Sequence, residues 1–287
     1  MTLLPSKDQP TPFENDLMLI RIGYDLTFNV PVAAPMTLML SLRPERRTTL
    51  IKPDELLVEP YAPVTFFTDG YGNSCGRIVA PSGKVRFTAD AIVTDSGLPD
   101  PVGYDAIQHP VQELPVECLP FLLASRYCEV DVLQNTAWQL FGNTPLGWGR
   151  VQAICDFVHN HIQFGYQFAR NTRSAAEGYR ERLGVCRDFT HLAVTFCRCM
   201  NIPARYVTGY LGDIGIPPVP CPMDFSAWFE VYLGNRWWTF DARHNKPRIG
   251  RVLMAHGRDA ADVALTTSFG ITHLEKFLVW TDEIHGD

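Results

Sequence analysis

The sequence predicts an α+β protein, with a β-sandwich-like N-terminal domain followed by a core of helices packed on an antiparallel sheet. Short β-prone runs separated by turn signals fill residues 18–95, and apolar residues then recur at helical spacing between residues 151 and 200. A β-hairpin pattern follows around Gly234-Asn235. We therefore expect an N-terminal β-rich domain at 1–98, a linker at 99–120 and a core domain at 121–287.

The composition is that of an ordinary soluble globular protein. The chain has 287 residues, of which 46% are hydrophobic and 20% charged, and its net charge of −6 argues against nucleic acid or an anionic membrane as partner. No apolar run reaches membrane-spanning length, and residues 1–17 lack the basic and apolar regions of an export signal. We therefore expect a cytoplasmic protein with no membrane partner.

Eight cysteines are scattered along the chain, at positions 75, 118, 128, 155, 186, 197, 199 and 221. In a chain without an export signal they are expected to be reduced thiols. Cys197 and Cys199 form a C-x-C pair, but no second pair stands at zinc-finger spacing, and no calcium-loop motif is present. We therefore expect neither a metal nor any other cofactor.

The β-prone runs of the first third are "LMLIRIGYDLTFNV", "MTLMLSLRP", "VTFFTDGYGNSCGRIVAP" and "KVRFTADAIVT". Turn signals such as Asp69-Gly70 and Pro81-Ser82-Gly83 divide them. Several short strands at this spacing are typical of a β-sandwich. The stretch "DSGLPDPVGYDAIQHPVQELP" is rich in Pro, Gly and Asp and is expected to be the linker.

Helical patterns follow the linker. The run "GRVQAICDFVHNHIQF" has apolar residues near helical spacing. Ser174 stands three residues before Glu177, a capping-box pattern that opens a short helix ending by Gly184. Another helix begins at Cys186 and is expected to end before Pro203.

Cys186 is the candidate nucleophile because it lies in the first turn of an amphipathic helix. The apolar face of that helix holds Phe189, Leu192, Ala193, Phe196, Cys197 and Met200. The thiol falls within this buried face, at the positive end of the helix dipole, which is expected to lower its pKa. His191 lies on the opposite, outer face and cannot serve as the base for Cys186.

The hairpin "MDFSAWFEVYLGNRWWTFDARHN" carries the second half of the candidate site. A turn at Gly234-Asn235 pairs Leu233 with Arg236 and Val231 with Trp238. Ser226 and Asp241 then become diagonal neighbours on one face of the ribbon. A histidine at position 226 would be oriented by the Asp241 carboxylate and would complete a Cys-His-Asp triad.

The segments "GVCRDFTHLAVTFCRCMNIPARYVTGYL" and "AWFEVYLGNRWWTFDARHN" closely resemble the core of the transglutaminase-like superfamily. The β-rich first third is similar to the N-terminal domain of bacterial transglutaminase-like proteins. The resemblance implies a papain-like catalytic core at 121–287, with Cys186 as the nucleophile and Asp241 as the orienting acid. The family's usual "HAW" reads "SAW" here, so the base maps onto Ser226.

Serine does not titrate near neutrality and cannot act as a general base, which leaves three interpretations. In the first interpretation the base has moved to His244, which the "ARHN" segment brings back toward the thiol. Alternatively, Cys186 and Asp241 act as a pair, and Ser226 holds a water or a substrate group. In the third interpretation the site binds a ligand without turning it over.

Trp228 and Arg243 are the candidate substrate-binding residues. Trp228 is expected to line the substrate cleft. Arg243 either holds a substrate carboxylate or neutralises Asp241, and we favour neutralisation.

The function expected from the resemblance is that of a cysteine-dependent amide hydrolase or acyltransferase, related to proteases and transglutaminases. Its reaction passes through an acyl-thioester on Cys186, and its substrate is a peptide or protein amide. The alternative is a catalytically inactive binding module with the same fold, because Ser226 occupies the usual histidine position.

Overall fold

The computed structural model describes residues 17–219 and 222–285, and within them the chain has the predicted α+β fold. The strands are β1 (Met18–Val30), β2 (Ala34–Leu38), β3 (Leu50–Lys52), β4 (Leu57–Glu59), β5 (Thr65–Thr68), β6 (Ser74–Ala80), β7 (Gly83–Asp95), β8 (Gln163–Phe164), β9 (Leu183–Gly184), β10 (Ala204–Leu211), β11 (Ser226–Leu233), β12 (Arg236–Phe240), β13 (Arg251–Gly257), β14 (Thr266–Ser268) and β15 (His273–Ile284). The α-helices are α1 (Val130–Phe141), α2 (Trp148–His161), α3 (Ala175–Glu181) and α4 (Cys186–Cys199).

The N-terminal domain consists of two antiparallel sheets. One has the strand order β15-β1-β7-β3, with β4 also on β7, and the other has the order β14-β2-β6-β5. Along β7 the side chains of Val85, Phe87, Ala89, Ala91 and Val93 point inward and are buried, whereas the residues between them are more exposed. This alternation is what a sheet with one buried face requires. The predicted β-rich domain is therefore present.

The two C-terminal strands, β14 and β15, belong to this N-terminal domain. The sequence analysis had assigned them to the core domain. β15 pairs with β1 from Leu19 opposite Ile284 to Asn29 opposite His273, and β14 pairs with β2. The predicted core boundary of 121–287 is thus too long at its C-terminal end. Pairing between strands about 250 residues apart leaves no local signal in the sequence.

Asp25 links three neighbouring strands of the first sheet. Its carboxylate accepts hydrogen bonds from Arg86 on β7 (2.8 Å) and from Lys276 on β15 (2.6 Å). The Arg86 hydrogen bond is the largest cause that lowers the pKa of Asp25 to about 2, with Lys276 contributing and burial opposing. This cluster helps to fasten the C-terminal strand to the N-terminal domain.

The core domain has a four-stranded antiparallel sheet, in the order β12-β11-β10-β13, with α4 packed against it. The predicted hairpin is confirmed: Gly234 and Asn235 have φ values of 54° and 66°, and Leu233 pairs with Arg236 as expected. Two consecutive residues with positive φ are the signature of the tight turn that suits the twist of a hairpin. The apolar side chains of Phe229, Val231 and Leu233 join the helices in one core cluster.

Helix α4 is buried on all sides from Asp188 to Cys199, which corrects the predicted outer face. The predicted apolar residues do lie in the core, but His191 and Arg198 are also fully enclosed. His191 stacks on Tyr127, and its Nε2 accepts the backbone N–H of Ala260 (3.1 Å). Arg198 donates to the backbone carbonyls of Leu123 and Ala204. These polar partners allow a charged side chain to be buried.

The predicted helices α2 and α3 are confirmed, and α3 has the expected capping box between Ser174 and Glu177. Helix α1 was not predicted. Its buried residues, Leu133, Ala137 and Phe141, recur only every fourth position, so the apolar stripe is too narrow to stand out in the sequence.

The described residues also bear on membrane-spanning helices, metal-binding clusters and disulfides. No helix among them is long and apolar enough to cross a bilayer, and they contain no cluster of three or more acidic, His or Cys side chains that could hold a metal. Their seven cysteines are free thiols. Cys221 and the N-terminal stretch 1–16 lie outside the described residues.

Candidate active site

The start of α4 is held rigidly, which fixes the position of Cys186. The Asp188 carboxylate accepts the backbone N–H of Val185 (2.9 Å) and pairs with Arg173 (3.0 Å). A side chain at Gly184 would place its Cβ 2.6 Å from the Cβ of Asp188, so only glycine fits there. Asp188 is therefore the buried polar cap of the helix that presents the thiol.

Cys186 lies between two cavities, of about 210 and 250 Å³. Asp224, Phe225 and Ser226 line both cavities together with Cys186. The Cys186 residue is half-buried at this junction. An extended substrate could therefore place its reacting group at the sulfur and occupy both cavities.

Burial raises the pKa of the Cys186 thiol to about 11, in contrast to the lowered pKa expected from the helix dipole. The positive charge of Arg243 and the backbone amide of Ala227 act in the opposite direction, and Asp224 adds to the increase. The cost of removing a thiolate from water outweighs the favourable position at the helix end. The resting cysteine is thus a neutral thiol that needs a proton acceptor.

Asp241 and His244 form a pair within one tight turn after β12. The Asp241 carboxylate accepts the backbone N–H groups of Arg243 and His244, both at 3.0 Å. These bonds curl the chain back, so that His244 Nδ1 lies 2.8 Å from Asp241 Oδ2. His244 also lines the 210 Å³ cavity with Cys186. The structure therefore brings Cys186, Asp241 and His244 into one site.

Helix α2 anchors this turn from behind. His159 donates from Nδ1 to the backbone carbonyl of Arg243 (2.9 Å), and Gln152 donates to the side chain of Asn245 (2.9 Å). The sequence analysis did not identify either residue, because their spacing on α2 gives no sign of the turn that packs against them.

Arg251 fixes the charge of Asp241. It donates from Nη2 to Asp241 (2.9 Å) and from Nε to Asp100 in the linker (2.8 Å). Burial raises the pKa of Asp241, but the Arg251 charge and the His244 hydrogen bond outweigh burial and hold the pKa well below its usual range. Sequence reasoning missed Arg251 and Asp100, since only folding places them beside Asp241.

The ionised Asp241 determines the tautomer of His244. A carboxylate can only accept a hydrogen bond, so the Nδ1 atom of His244 must carry the proton. In the neutral imidazole, Nε2 then holds a free lone pair. Nε2 makes no hydrogen bond within residues 17–219 and 222–285, which leaves it available to a proton donor in the cavity.

Ser226 lies where the resemblance placed the base, at the beginning of β11 opposite Gly209. Its side chain lines both cavities and makes no hydrogen bond to the part of the chain that the structure describes. The hydroxyl is therefore free to contact a substrate or a water, although it cannot act as a base.

Trp228 does not line either cavity, which corrects its predicted role. It is 2% exposed, and the guanidinium carbon of Arg251 lies 4.9 Å from its ring centroid. Trp228 shares one face of β11 with Ser226, but Arg251 covers that face at Trp228. Trp228 therefore packs against Arg251, the partner of Asp241.

Arg243 does not neutralise Asp241, which corrects the interpretation favoured from the sequence. The partners of the carboxylate are the side chains of Arg251 and His244. The guanidinium carbon of Arg243 instead lies 3.9 Å from the ring centroid of Phe164, and Arg243 lines the 210 Å³ cavity.

Asp224 is a further residue that the sequence analysis missed. It lines both cavities beside Cys186, and burial raises its pKa to about 6. No spacing or motif before β11 marks this residue.

Comparisons with known proteins agree with this fold. The profile of the transglutaminase-like superfamily matches residues 135–242. The crystal structure of a Cytophaga hutchinsonii protein, provisionally described as a cysteine protease, aligns over 96% of this chain and 93% of its own, with 30% identity and a TM-score of 0.81. The chain belongs to the transglutaminase-like superfamily.

Two mycobacterial proteins are similar to this chain over shorter stretches. An uncharacterized protein of Mycobacterium leprae is 33% identical over 94 residues, which is 32% of this chain and 33% of that protein. An uncharacterized protein of Mycobacterium bovis is 27% identical over 236 residues, which is 74% of this chain and 73% of that protein. The superfamily profile covers Cys186, Ser226 and Asp241 but ends before His244.

Proposed function

We propose that this protein is a cysteine-dependent amide hydrolase or acyltransferase in which His244 replaces the histidine missing at position 226. The observation that supports the proposal most strongly is the 2.8 Å contact between His244 Nδ1 and Asp241 Oδ2. It fixes the Nδ1–H tautomer of the neutral imidazole, whose Nε2 lone pair is then free, and His244 lines the cavity that Cys186 also lines.

In the first half of the reaction, His244 Nε2 takes the thiol proton as the sulfur attacks the amide carbonyl carbon. A thiol whose pKa is raised needs such a base, because little thiolate is present at neutral pH. The tetrahedral intermediate collapses to an acyl-thioester on Cys186. His244 returns the proton to the leaving amine, and Asp241 stabilises the imidazolium formed in between.

In the second half, water or an amine attacks the thioester, and His244 again accepts and returns a proton. Water completes hydrolysis, whereas an amine completes transfer. We also propose that the substrate is a peptide or protein amide, because cavities on both sides of Cys186 suit an extended chain. We further propose a cytoplasmic location, where thiols stay reduced, because the seven cysteines that the structure describes are free.

The second candidate is an inactive binding module, which the combination of Ser226 and the raised thiol pKa favours. Acyl transfer from p-nitrophenyl acetate distinguishes the two candidates. An active site would release a burst of p-nitrophenol and gain an acetyl group on Cys186, detected by peptide mass spectrometry.

Two variants and a matched control complete this experiment. Cys186→Ala should abolish the burst, and His244→Ala should lower its rate by about 10²–10⁴-fold, the usual contribution of a general base. His273→Gln removes an exposed histidine on β15 and should leave the burst unchanged. A folded His244→Ala protein that acetylates Cys186 at the parent rate would rule out His244 as the base.

A further inference from the structure

Arg243 is a cation beside the nucleophile without a fixed anionic partner. Its guanidinium rests on the Phe164 ring, with a distance of 3.9 Å to the centroid. Its side chain has no carboxylate within 4.0 Å among the residues that the structure describes. Arg243 lines one cavity with Cys186, Tyr166 and Asp224, and its charge acts to lower the pKa of all three.

Asp213 and Arg248, which line the same cavity, are hydrogen-bonded to the backbone. Asp213 accepts the backbone N–H of Val219 (2.7 Å), and Arg248 donates to the carbonyl of Gly212 (2.8 Å). Asp224 also lines this cavity, but its carboxylate is not within the 4.0 Å salt-bridge distance of Arg243. The Tyr166 hydroxyl is within reach of the Arg243 guanidinium, and the remaining N–H donors are available toward the cavity.

The turn holds the backbone of Arg243 rigidly. Its N–H is bonded to Asp241 (3.0 Å) and its carbonyl to His159 (2.9 Å). The same turn carries the proposed base, so Arg243 and His244 are presented to the cavity together. A ligand group bound by Arg243 would thus be placed in a defined position relative to the sulfur.

We propose that Arg243 determines specificity by binding a carboxylate of the substrate, next to the amide that Cys186 attacks. This inference rests on the proposed function and adds a substrate class, amides with an adjacent carboxylate. Stacking on an aromatic ring and bidentate pairing with a carboxylate are both characteristic of arginine. The stacking on Phe164 orders the side chain in advance and reduces the entropy lost on binding.

Alkylation of Cys186 tests the inference without knowledge of the natural substrate. Iodoacetate and iodoacetamide react alike, as the sulfur bonds to the methylene carbon and iodide leaves, but only iodoacetate carries a carboxylate. The rates are measured at the Cys186 peptide by mass spectrometry. The ratio of the two rates cancels the thiolate fraction, which Arg243 itself influences.

We expect Arg243→Gln to lower the iodoacetate-to-iodoacetamide ratio by at least about tenfold, the effect of losing a charge-assisted, bidentate contact. Arg243→Lys should retain part of the preference, because the charge remains and the planar geometry is lost. Iodoacetate, but not iodoacetamide, should also show saturation with concentration in the parent protein.

Arg187→Gln is the matched control, because Arg187 lines the other cavity beside Cys186 and carries the same charge. An equal loss in both variants would indicate general charge steering and would overturn the inference. An unchanged ratio in a folded Arg243→Gln protein would also overturn it.

Failure of this inference is separable from failure of the proposed function. The alkylation ratio does not depend on turnover, whereas the acetylation burst depends on Cys186 and His244. A normal burst with an unchanged ratio removes only the carboxylate preference. A lost ratio without any burst would instead indicate a carboxylate-binding site that performs no acyl transfer.

Discussion

Replacing Asp241 by asparagine tests whether Asp241 and His244 act as one unit. The Asp241 side chain is 2% exposed and accepts four hydrogen bonds, from the backbone N–H groups of Arg243 and His244 and from the side chains of His244 and Arg251. Two of these donors point at each oxygen. Whichever oxygen becomes the amide nitrogen, two N–H groups then face another donor.

The expected loss of stability follows from the burial of the ion pair. Removing one partner of a buried pair costs about 3–5 kcal/mol. Arg251 retains its contact with Asp100 (2.8 Å) in the variant. The loss of stability for Asp241→Asn should therefore lie near the lower end of this range, at about 3 kcal/mol. For a chain of this size the melting temperature should fall by about 5–10 °C.

The loss of acetylation rate in Asp241→Asn should be larger than the loss of stability alone would cause. Without the carboxylate, His244 loses the contact that fixes its tautomer, and the acetylation rate of Cys186 should fall by about 10³–10⁴-fold. Burst kinetics with p-nitrophenyl acetate, measured well below the melting temperature, give this rate. Asp100→Asn is the control, because it perturbs Arg251 but leaves the Asp241–His244 contact in place.

The double variant Asp241→Asn/His244→Ala tests whether Asp241 acts through His244 or contributes to the acetylation rate independently. If Asp241 acts through His244, the double variant should be no slower than His244→Ala alone. Additive losses, or an Asp241→Asn protein that acetylates Cys186 within tenfold of the parent, would refute the triad reasoning.

Three further predictions follow from the same structure. Ser226→His should not raise the acetylation rate, since the Asp241 carboxylate has no acceptor position left to orient a second imidazole; a faster burst would contradict this. Asp224→Asn should lower the pKa of the Cys186 thiol, because the Asp224 charge raises it, and the pH profile of iodoacetamide alkylation should shift to lower pH; an unshifted profile would count against that contact. Asp25→Asn should lower the free energy of unfolding by about 1–2 kcal/mol at pH 7, a value reduced because its basic partners are half exposed. The Asp25 pKa is lowered to about 2, so its contribution is present above the unfolded pKa of about 3.9 and is lost as the pH falls through about 2. Urea unfolding of parent and variant should therefore differ at pH 7 and converge at about pH 2.

Features that depend on neighbouring residues could be predicted from the sequence. The hairpin and its register follow from Gly234-Asn235, because few residues adopt two successive positive φ values. The capping box of α3 and the position of Cys186 at the start of α4 are local as well. Even the return of His244 toward Asp241 depends on a turn of only four residues, which is why the sequence could suggest it.

Features that depend on distant residues were decided by the tertiary structure. The pairing of β15 with β1, the clamp of Asp100 and Arg251 on Asp241, and the burial of α4 join segments far apart in the chain. Burial also reversed the expected shift of the thiol pKa, since desolvation depends on everything packed around the sulfur. The sequence by itself determined the local parts of the site, which are Cys186 at the start of α4 and the turn that joins Asp241 to His244. Only the tertiary structure determined their charges, their partners and the freedom of Arg243, because electrostatic energies depend on distances and burial that no local pattern encodes.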